Sequence, residues 1–373
     1  MSTVHHPKQE HTIPWFWPMA AAIELGKEGL SIYKKNLMYL REVQEINHPV
    51  PPHWTTPNKI NINLDTMKLR DFSVFGVSHE IPTLVIAPYA GQSATIADFA
   101  KRKSLVEVLL TNGLKKVFVT DWKPATLAMK DFGINKYLND LDQAVIRLGG
   151  KVNLVGLCQG GWIGLMYAAR YPKNVHTIVL AGSPIDTDAG HGAIKNMAHS
   201  LPMTFYEEMV HMGGGLISGK VMLAGWKNMK PQEQYFQKYL QLYEHIEDKN
   251  YVERTEKFEE WYENVYDLPG AYYLETIRHI FKENELVKGG FIALGEALSL
   301  KKIICPVYML AGSKDDITPA DQVFDAGKYL GTPEKLIVKN LTESGHLGLF
   351  MGSKTLETVW PQITHWILAF NKS

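Results

Sequence analysis

The stretch LVGLCQGGW, residues 154–162, sets Cys158 between glycines at the end of an apolar run. A thiol is a few per cent ionised near neutral pH even unaided, and its thiolate attacks acyl carbon readily. The residues before it, KVNLVG, read as a strand, and those after it, WIGLMYAARY, as a helix. A nucleophile on such a strand-to-helix turn is held in a strained conformation, and nearby side chains would collide unless glycine replaced them. Gly156 and Gly160 occupy those two places. The helix that begins after Cys158 favours the thiolate. A lone cysteine is otherwise commonly a small buried residue; the glycines and the preceding strand favour the nucleophile. Cys305, opening the apolar segment CPVYMLAG, lacks that setting and reads as core.

A nucleophile on this turn needs a base, and the base an orienting carboxylate, in the chain order nucleophile, acid, histidine. Downstream, CPVYMLAGSKDDITP is a strand running into a loop with two carboxylates. Asp315, nearer the strand, is the preferred acid, and Asp316 is left to cap a helix or face solvent. KLIVKNLTESGHLGLF is a second strand, and its loop carries His346 among glycines that would let the imidazole reach Cys158. Both residues fall just beyond strand C-termini, the edge where open parallel sheets build their sites. The oxyanion of acyl transfer should meet the backbone N–H of Gln159 and one from the loop in LVIAPYAGQSAT. Tyr89 or Ala90 is the expected second donor, with Gly91 permitting the turn. Asp121 and Trp122, ending KKVFVTDW, either line the site or pack the sheet edge, and packing is favoured for Trp122.

The elements that must position these residues recur as strand, helix, strand. MKLRDFSV, TLVIAPY, KKVFVTDW, KVNLVGLC, VHTIVLAGSPI, CPVYMLAG and KLIVKNL are mostly short Val, Ile and Leu runs, as in strands buried on both faces of a parallel sheet. The expected class is α/β: a mostly parallel sheet with helices on both faces. Residues 1–62 form an N-terminal helical extension, with helix expected over 14–47 and a proline-rich break, HPVPPHWTTPNK, behind it. Residues 63–185 and 303–373 form the core. Between them, 186–302 is a helical insertion, either a lid or a further layer of core. The aromatic cluster PWFW, 14–17, either packs on the main domain or meets an apolar surface.

Lysine and arginine balance aspartate and glutamate, 39 against 39, which gives no electrostatic reason to expect nucleic acid as a partner. Two cysteines do not make a disulfide framework. The polar start predicts no signal peptide, and no apolar run reaches the ~18 residues of a membrane span. The 14 histidines do not gather with other ligands at metal-binding spacing. A cytoplasmic protein without a metal or resident cofactor is expected.

Several segments beyond the turn carry a resemblance. APYAGQSAT, VFVTDW, SPIDT, WYENVYDLPGAYYLETI, GSKDDI and GHLGLFMGSK resemble intracellular poly(3-hydroxybutyrate) depolymerases, from about residue 65 to the end. That resemblance implies an α/β-hydrolase fold with a cysteine nucleophile, matching Cys158, and the acid and histidine motifs match Asp315 and His346. The turn departs from those depolymerases, which place glutamine and proline after the cysteine. GLCQGG is instead similar to polyhydroxyalkanoate synthases with a glycine–x–cysteine–x–glycine–glycine motif, as are KVNLVGLCQGG, TDW and ICPVYML. The expectation weighted by length of match is hydrolysis of polyhydroxyalkanoate esters through an acyl-thioester. Its alternative is polymerisation of 3-hydroxyacyl-coenzyme A by the same triad, and a third reading is a non-catalytic polymer-granule binder. The partners implied are the polymer or a 3-hydroxyacyl ester or thioester, with coenzyme A as a co-substrate or leaving group and the granule surface as a docking place. The resemblance to short synthases leaves room for an oligomer.

Overall fold

The computed structural model describes residues 26–47, 49–74, 80–229, 232 and 237–371. The chain divides into two units, Met1–Pro49 with Pro231–Phe258, and Val50–Lys230 with Glu259–Ser373. The aromatic cluster at 14–17 lies outside the described residues.

In the first unit, helix α1 (Gly26–Asn47) takes up most of the expected N-terminal helix. Its apolar positions Val43 and Ile46 close on Leu242 and Ile246, with Tyr39, Tyr239, Tyr251 and Val252 around them. Tyr39 meets Tyr243 edge-on at 5.3 Å, and Lys35 lies 4.9 Å over the Tyr243 ring. Glu42 is buried in this unit, and burial, then the hydrogen bond and charge of Glu256, push its carboxyl up to about 8.

The second unit is built on eight strands: β1 (Lys59–Asn63), β2 (Met67–Asp71), β3 (Thr83–Ile86), β4 (Val117–Trp122), β5 (Val152–Leu157), β6 (Val175–Ala181), β7 (Val307–Gly312) and β8 (Ile337–Thr342). Their order is β1-β2-β4-β3-β5-β6-β7-β8. β2 runs antiparallel to both neighbours, and every other pairing is parallel. The mostly parallel α/β sheet expected from the sequence is therefore what forms. Every residue of β5 is buried, as are those of β3 and β7, which is why these segments read as continuous apolar runs rather than alternating ones. Each fully buried Leu or Val of these strands contributes about 1.5–3 kcal/mol. β8 closes one edge and is half-exposed along its length.

Parallel register brings the site together. Leu157 pairs with Ala181, Leu310 with Ala181, and Gly312 with Thr342, so β5, β6, β7 and β8 finish along one rim. The loops that carry Cys158, Asp315 and His346 all leave from it. Helix α2 (Ile134–Arg147) and helix α3 (Gln159–Arg170) flank the sheet, and α3 is buried from Gly160 to Ala169. The insertion is helical but carries a small antiparallel pair, Leu216–Ile217 with Leu268–Pro269. Behind it, helix α4 (Gly270–Glu275) runs into a π-helical stretch, Thr276–Lys282. Within the insertion Gly270 N–H donates to Gly215 O at 2.9 Å, and Glu275 Oε2 ties this end to the start of α2 by accepting the Ile134 N–H at 2.6 Å. Among the described residues, no helix is long and apolar enough to cross a membrane.

Candidate active site

Cys158 stands between β5 and α3 with φ 50° and ψ −118°. That left-handed backbone is rare for any side chain but glycine and costs of the order of 1–3 kcal/mol, held by the surrounding structure. The turn is locked by close backbone approaches. Cys158 N–H donates to Ala181 O at 2.9 Å, and Gly161 N–H returns to Cys158 O at 3.0 Å. A Cβ on Gly156 would lie 2.4 Å from Gly161 Cα, and one on Gly160 would lie 2.0 Å from Ile86 O. Both glycines singled out in the sequence are therefore sterically required. So is Gly161, which sequence reasoning left as the second half of a pair: its Cβ would fall 1.9 Å from Ser183 Oγ.

The loop after β7 delivers Asp315, buried to 7% exposure, while Asp316 is exposed. Asp315 Oδ1 accepts the backbone N–H groups of Ile317 (3.0 Å) and Thr318 (2.8 Å), which fixes the carboxylate plane. Its Oδ2 then faces His346 Nδ1 at 2.8 Å. His346 comes from the loop after β8, equally buried, with Phe350 edge-on to its ring at 5.4 Å. The glycine that admits the ring is not one of those beside it in sequence. Nothing lies closer than 3.7 Å to a Cβ placed on Gly345, whereas a Cβ on Gly182, where φ is +53°, would sit 2.9 Å from Leu349 Cδ1 and 3.4 Å from His346 Cε1. Gly182 follows Ala181, the partner of the Cys158 N–H, so His346 packs over the same residue pair that holds the Cys158 turn. Burial alone would lower the imidazole's pKa. The charges of Cys158 and Asp315, with hydrogen bonding to each, overcome it and push the ring up to about 10. The three side chains therefore converge, with the sulfur half-buried and open to a reactant.

Gln159 opens α3, and β3 ends at Ile86, whose carbonyl lies against Gly160. Tyr89 is fully buried in the loop that follows, its hydroxyl donating to Lys123 O at 2.9 Å. Trp122 packs as favoured, its Nε1–H donating to Ala87 O at 2.8 Å and its ring 6.0 Å from Tyr89. Asp121 is paired with Arg70 at 2.8 Å on the neighbouring strand. Cys305 precedes β7 rather than lying in it and is only half-buried; burial pushes its thiol up to about 12, away from nucleophilic use. Sequence reasoning also passed over Tyr272, buried in α4, whose signal was present only within the LPGAYYLETI segment.

Metal-ligand types gather at His279, Glu283 and Glu285, and again at Glu42, Glu45 and Glu256. Neither group includes Cys158, Asp315 or His346, and His279 is engaged by Glu285 at 2.9 Å. A cavity of about 340 Å³ opens beside the ends of β2 and β4, lined by His53, Trp54, Lys68, Arg70 and Lys123 among others. Asp121, paired with Arg70, lines it as well.

Solved structures similar to this chain include a carboxylesterase from Nitrososphaera gargenis, 15% identical, with a TM-score of 0.52 over 85% of this chain and 99% of that one. An alpha/beta hydrolase fold protein from Chitinophaga pinensis is 16% identical with a TM-score of 0.50, over 85% and 98%. These likenesses establish an α/β-hydrolase fold. Among curated proteins, poly(3-hydroxyalkanoate) polymerase subunits PhaC are similar. That of Haloferax mediterranei is 23% identical over 83% of this chain and 63% of its own length. That of Allochromatium vinosum is 24% identical over 77% and 80%, and that of Synechocystis 24% over 96% and 97%. The chain thus spans less than two thirds of the Haloferax subunit and nearly all of the Synechocystis one. The relatives favour the synthase side of the resemblance and give no support to the depolymerase side. Residues 60–368 match the family described as Protein of unknown function (DUF3141), and the chain belongs to that family.

Proposed function

We propose that this protein is a cysteine-dependent acyltransferase of the polyhydroxyalkanoate synthase type, transferring 3-hydroxyacyl groups from coenzyme A thioesters to the hydroxyl end of a growing polyester. The observation that carries the reading is the convergence of Cys158, His346 and Asp315 around a strained turn, with the His346–Asp315 bond buried and the sulfur accessible. The relatives named as polymerase subunits supply the substrate class.

In the first step His346, oriented by Asp315, takes the thiol proton and the Cys158 sulfur attacks the thioester carbonyl. The tetrahedral oxyanion is met by backbone N–H groups of Gln159 and of the Tyr89–Ala90 loop. Collapse expels coenzyme A as a thiolate, which takes the proton from the imidazolium, and leaves the acyl group on Cys158. His346 then removes the proton of the chain-end hydroxyl, whose oxygen attacks the acyl-Cys158. Cys158 leaves as a thiolate and the polymer is one unit longer. One thioester is exchanged for another of similar energy in the first half, which suits sulfur better than oxygen as the nucleophile. The diphosphate of coenzyme A has the ammonium groups of Lys68 and Lys123 to meet at the cationic cavity. The same reading places the protein in the cytoplasm at the polymer surface.

The test is incubation of purified protein with 3-hydroxybutyryl-coenzyme A. Release of coenzyme A with formation of insoluble polyester, both lost in Cys158→Ala, is the expected result. Release accompanied only by free 3-hydroxybutyrate would make the protein a hydrolase, and absence of release from the wild type would overturn the acyltransferase reading.

A further inference from the structure

The wall of the site next to Cys158 carries buried polar atoms that the fold leaves without partners. Tyr272 is 1% exposed, and its hydroxyl has no hydrogen-bond partner among the described residues. The Thr276 hydroxyl, one turn on, is committed to the Tyr272 carbonyl at 2.8 Å. The side-chain oxygen of Gln159 and the indole N–H of Trp162 are likewise buried and unpartnered. An unpaired buried polar group is costly, and native structures keep one only where something else explains it.

The position of Tyr272 indicates what it serves. Its ring stacks on Trp162, one helical turn beyond Cys158, with centroids 6.2 Å apart and an interplanar angle of 26°. On another side it meets Tyr89 at 5.3 Å, and Tyr89 belongs to the loop after β3. Tyr272 therefore stands between the two elements that are to supply the backbone donors, α3 and the β3 loop. Its backbone is held there by the Gly270–Gly215 and Glu275–Ile134 contacts, with a π-helical stretch beginning at Thr276. Helical widening of this kind is frequent at functional sites.

Resting on the acyltransferase reading, we propose that the Tyr272 hydroxyl is a third, side-chain donor to the acyl oxygen that becomes anionic when Cys158 attacks. It donates a hydrogen bond and transfers no proton. Burial, with the charges of Tyr89 and Cys158 behind it and only the Thr276 hydroxyl acting against it, holds this phenol well above the ordinary tyrosine range, so it stays neutral and remains a donor throughout the reaction. Tyr137 packs against the same ring at 4.6 Å, but its hydroxyl is turned to Tyr89, whose charge and hydrogen bond, after burial, raise it. It serves as the internal comparison.

The experiment uses Tyr272→Phe and Tyr137→Phe in the full chain, which keep each ring and remove one oxygen. Three quantities are read: kcat for 3-hydroxybutyryl-coenzyme A, the pH profile of Cys158 alkylation by iodoacetamide, and the melting temperature. Alkylation builds no oxyanion, so it separates stabilisation of the acyl oxygen from stabilisation of the thiolate. Loss of a single such donor costs about 10²–10³ in kcat where backbone donors remain. Tyr272→Phe is expected to lose kcat on that scale with little change in KM, to alkylate like the wild type, and to melt no lower than it. Tyr137→Phe is expected to keep its activity. Wild-type kcat in Tyr272→Phe, or a parallel loss in alkylation, would overturn the proposal. A wild type inactive towards the thioester would instead overturn the acyltransferase reading on which it rests.

Discussion

Substituting Asp315 by asparagine separates the two halves of the reaction. The amide oxygen can take over the hydrogen bonds from the Ile317 and Thr318 N–H groups, so the loop is retained. The amide nitrogen then faces His346 Nδ1 across the 2.8 Å contact and donates to it. The neutral ring is forced to carry its proton on Nε2, where it cannot accept one from Cys158 or from a hydroxyl. Removing the carboxylate also removes its charge. For unit charges ~4 Å apart at an effective dielectric of ~20 the attraction is about 4 kcal/mol, close to a thousandfold in the protonation equilibrium of the ring. The chain-end hydroxyl has no ionised fraction near neutral pH and depends wholly on His346, so transfer from the acyl-enzyme should fall by about 10²–10⁴. A thiol ionises by a few per cent unaided, so the attack should fall by only about 30-fold. The Asp315→Asn protein should therefore give a burst of about one coenzyme A per active site, followed by slow turnover. Intact-protein mass should show the acylated form accumulating. Equal loss of burst and turnover, without an accumulated acyl-enzyme, would refute the reasoning.

Three further outcomes follow from other contacts. Gly160→Ala drives a methyl to 2.0 Å from the Ile86 carbonyl, a backbone atom that cannot turn aside; a loss of about 3 kcal/mol and a fall in melting temperature of roughly 4–5 °C are expected by calorimetry. His346 should titrate near pH 10 by NMR in the wild type, and Cys158→Ala should move it down, because the sulfur's charge is the largest influence raising it against burial. Glu42 holds its proton to about pH 8 when folded, against an ordinary value of 4.5. Between those values the folded state binds more protons than the unfolded one, so its contribution to stability is complete below 4.5 and is lost as pH rises through 8. Melting of the α1 unit should decline from pH 5 to 9, and Glu42→Gln should flatten that decline.

Much of this site could be read from the chain because its requirements are local. The turn glycines flank Cys158 in sequence, and Asp315 and His346 each follow a recognisable apolar strand by a few residues. What escaped depends on distant backbone. Gly182 matters only because β6 lies beside β5, which brings its Cα under His346. Tyr272 lies more than a hundred residues from Cys158, and only its stacking on Trp162 makes it part of the wall. β1 went unread because KININ follows directly on a proline-rich stretch, and as an edge strand it lacks a continuous apolar run. The pairing of α1 with residues near 242–246 joins segments some two hundred residues apart, which no local periodicity encodes. The reaction expected from the longest matching segments, hydrolysis, finds no support among these relatives, which are polymerase subunits, and acyl transfer is proposed in its place.

In the proposed reaction the sulfur of Cys158 carries the acyl group. Protein quenched with acid within the first turnovers of 3-hydroxybutyryl-coenzyme A, then digested and analysed by mass spectrometry, should show a 3-hydroxybutyryl group on the peptide containing Cys158. The same peptide from a protein that releases coenzyme A at full rate, found unmodified while another residue is acylated, would contradict it.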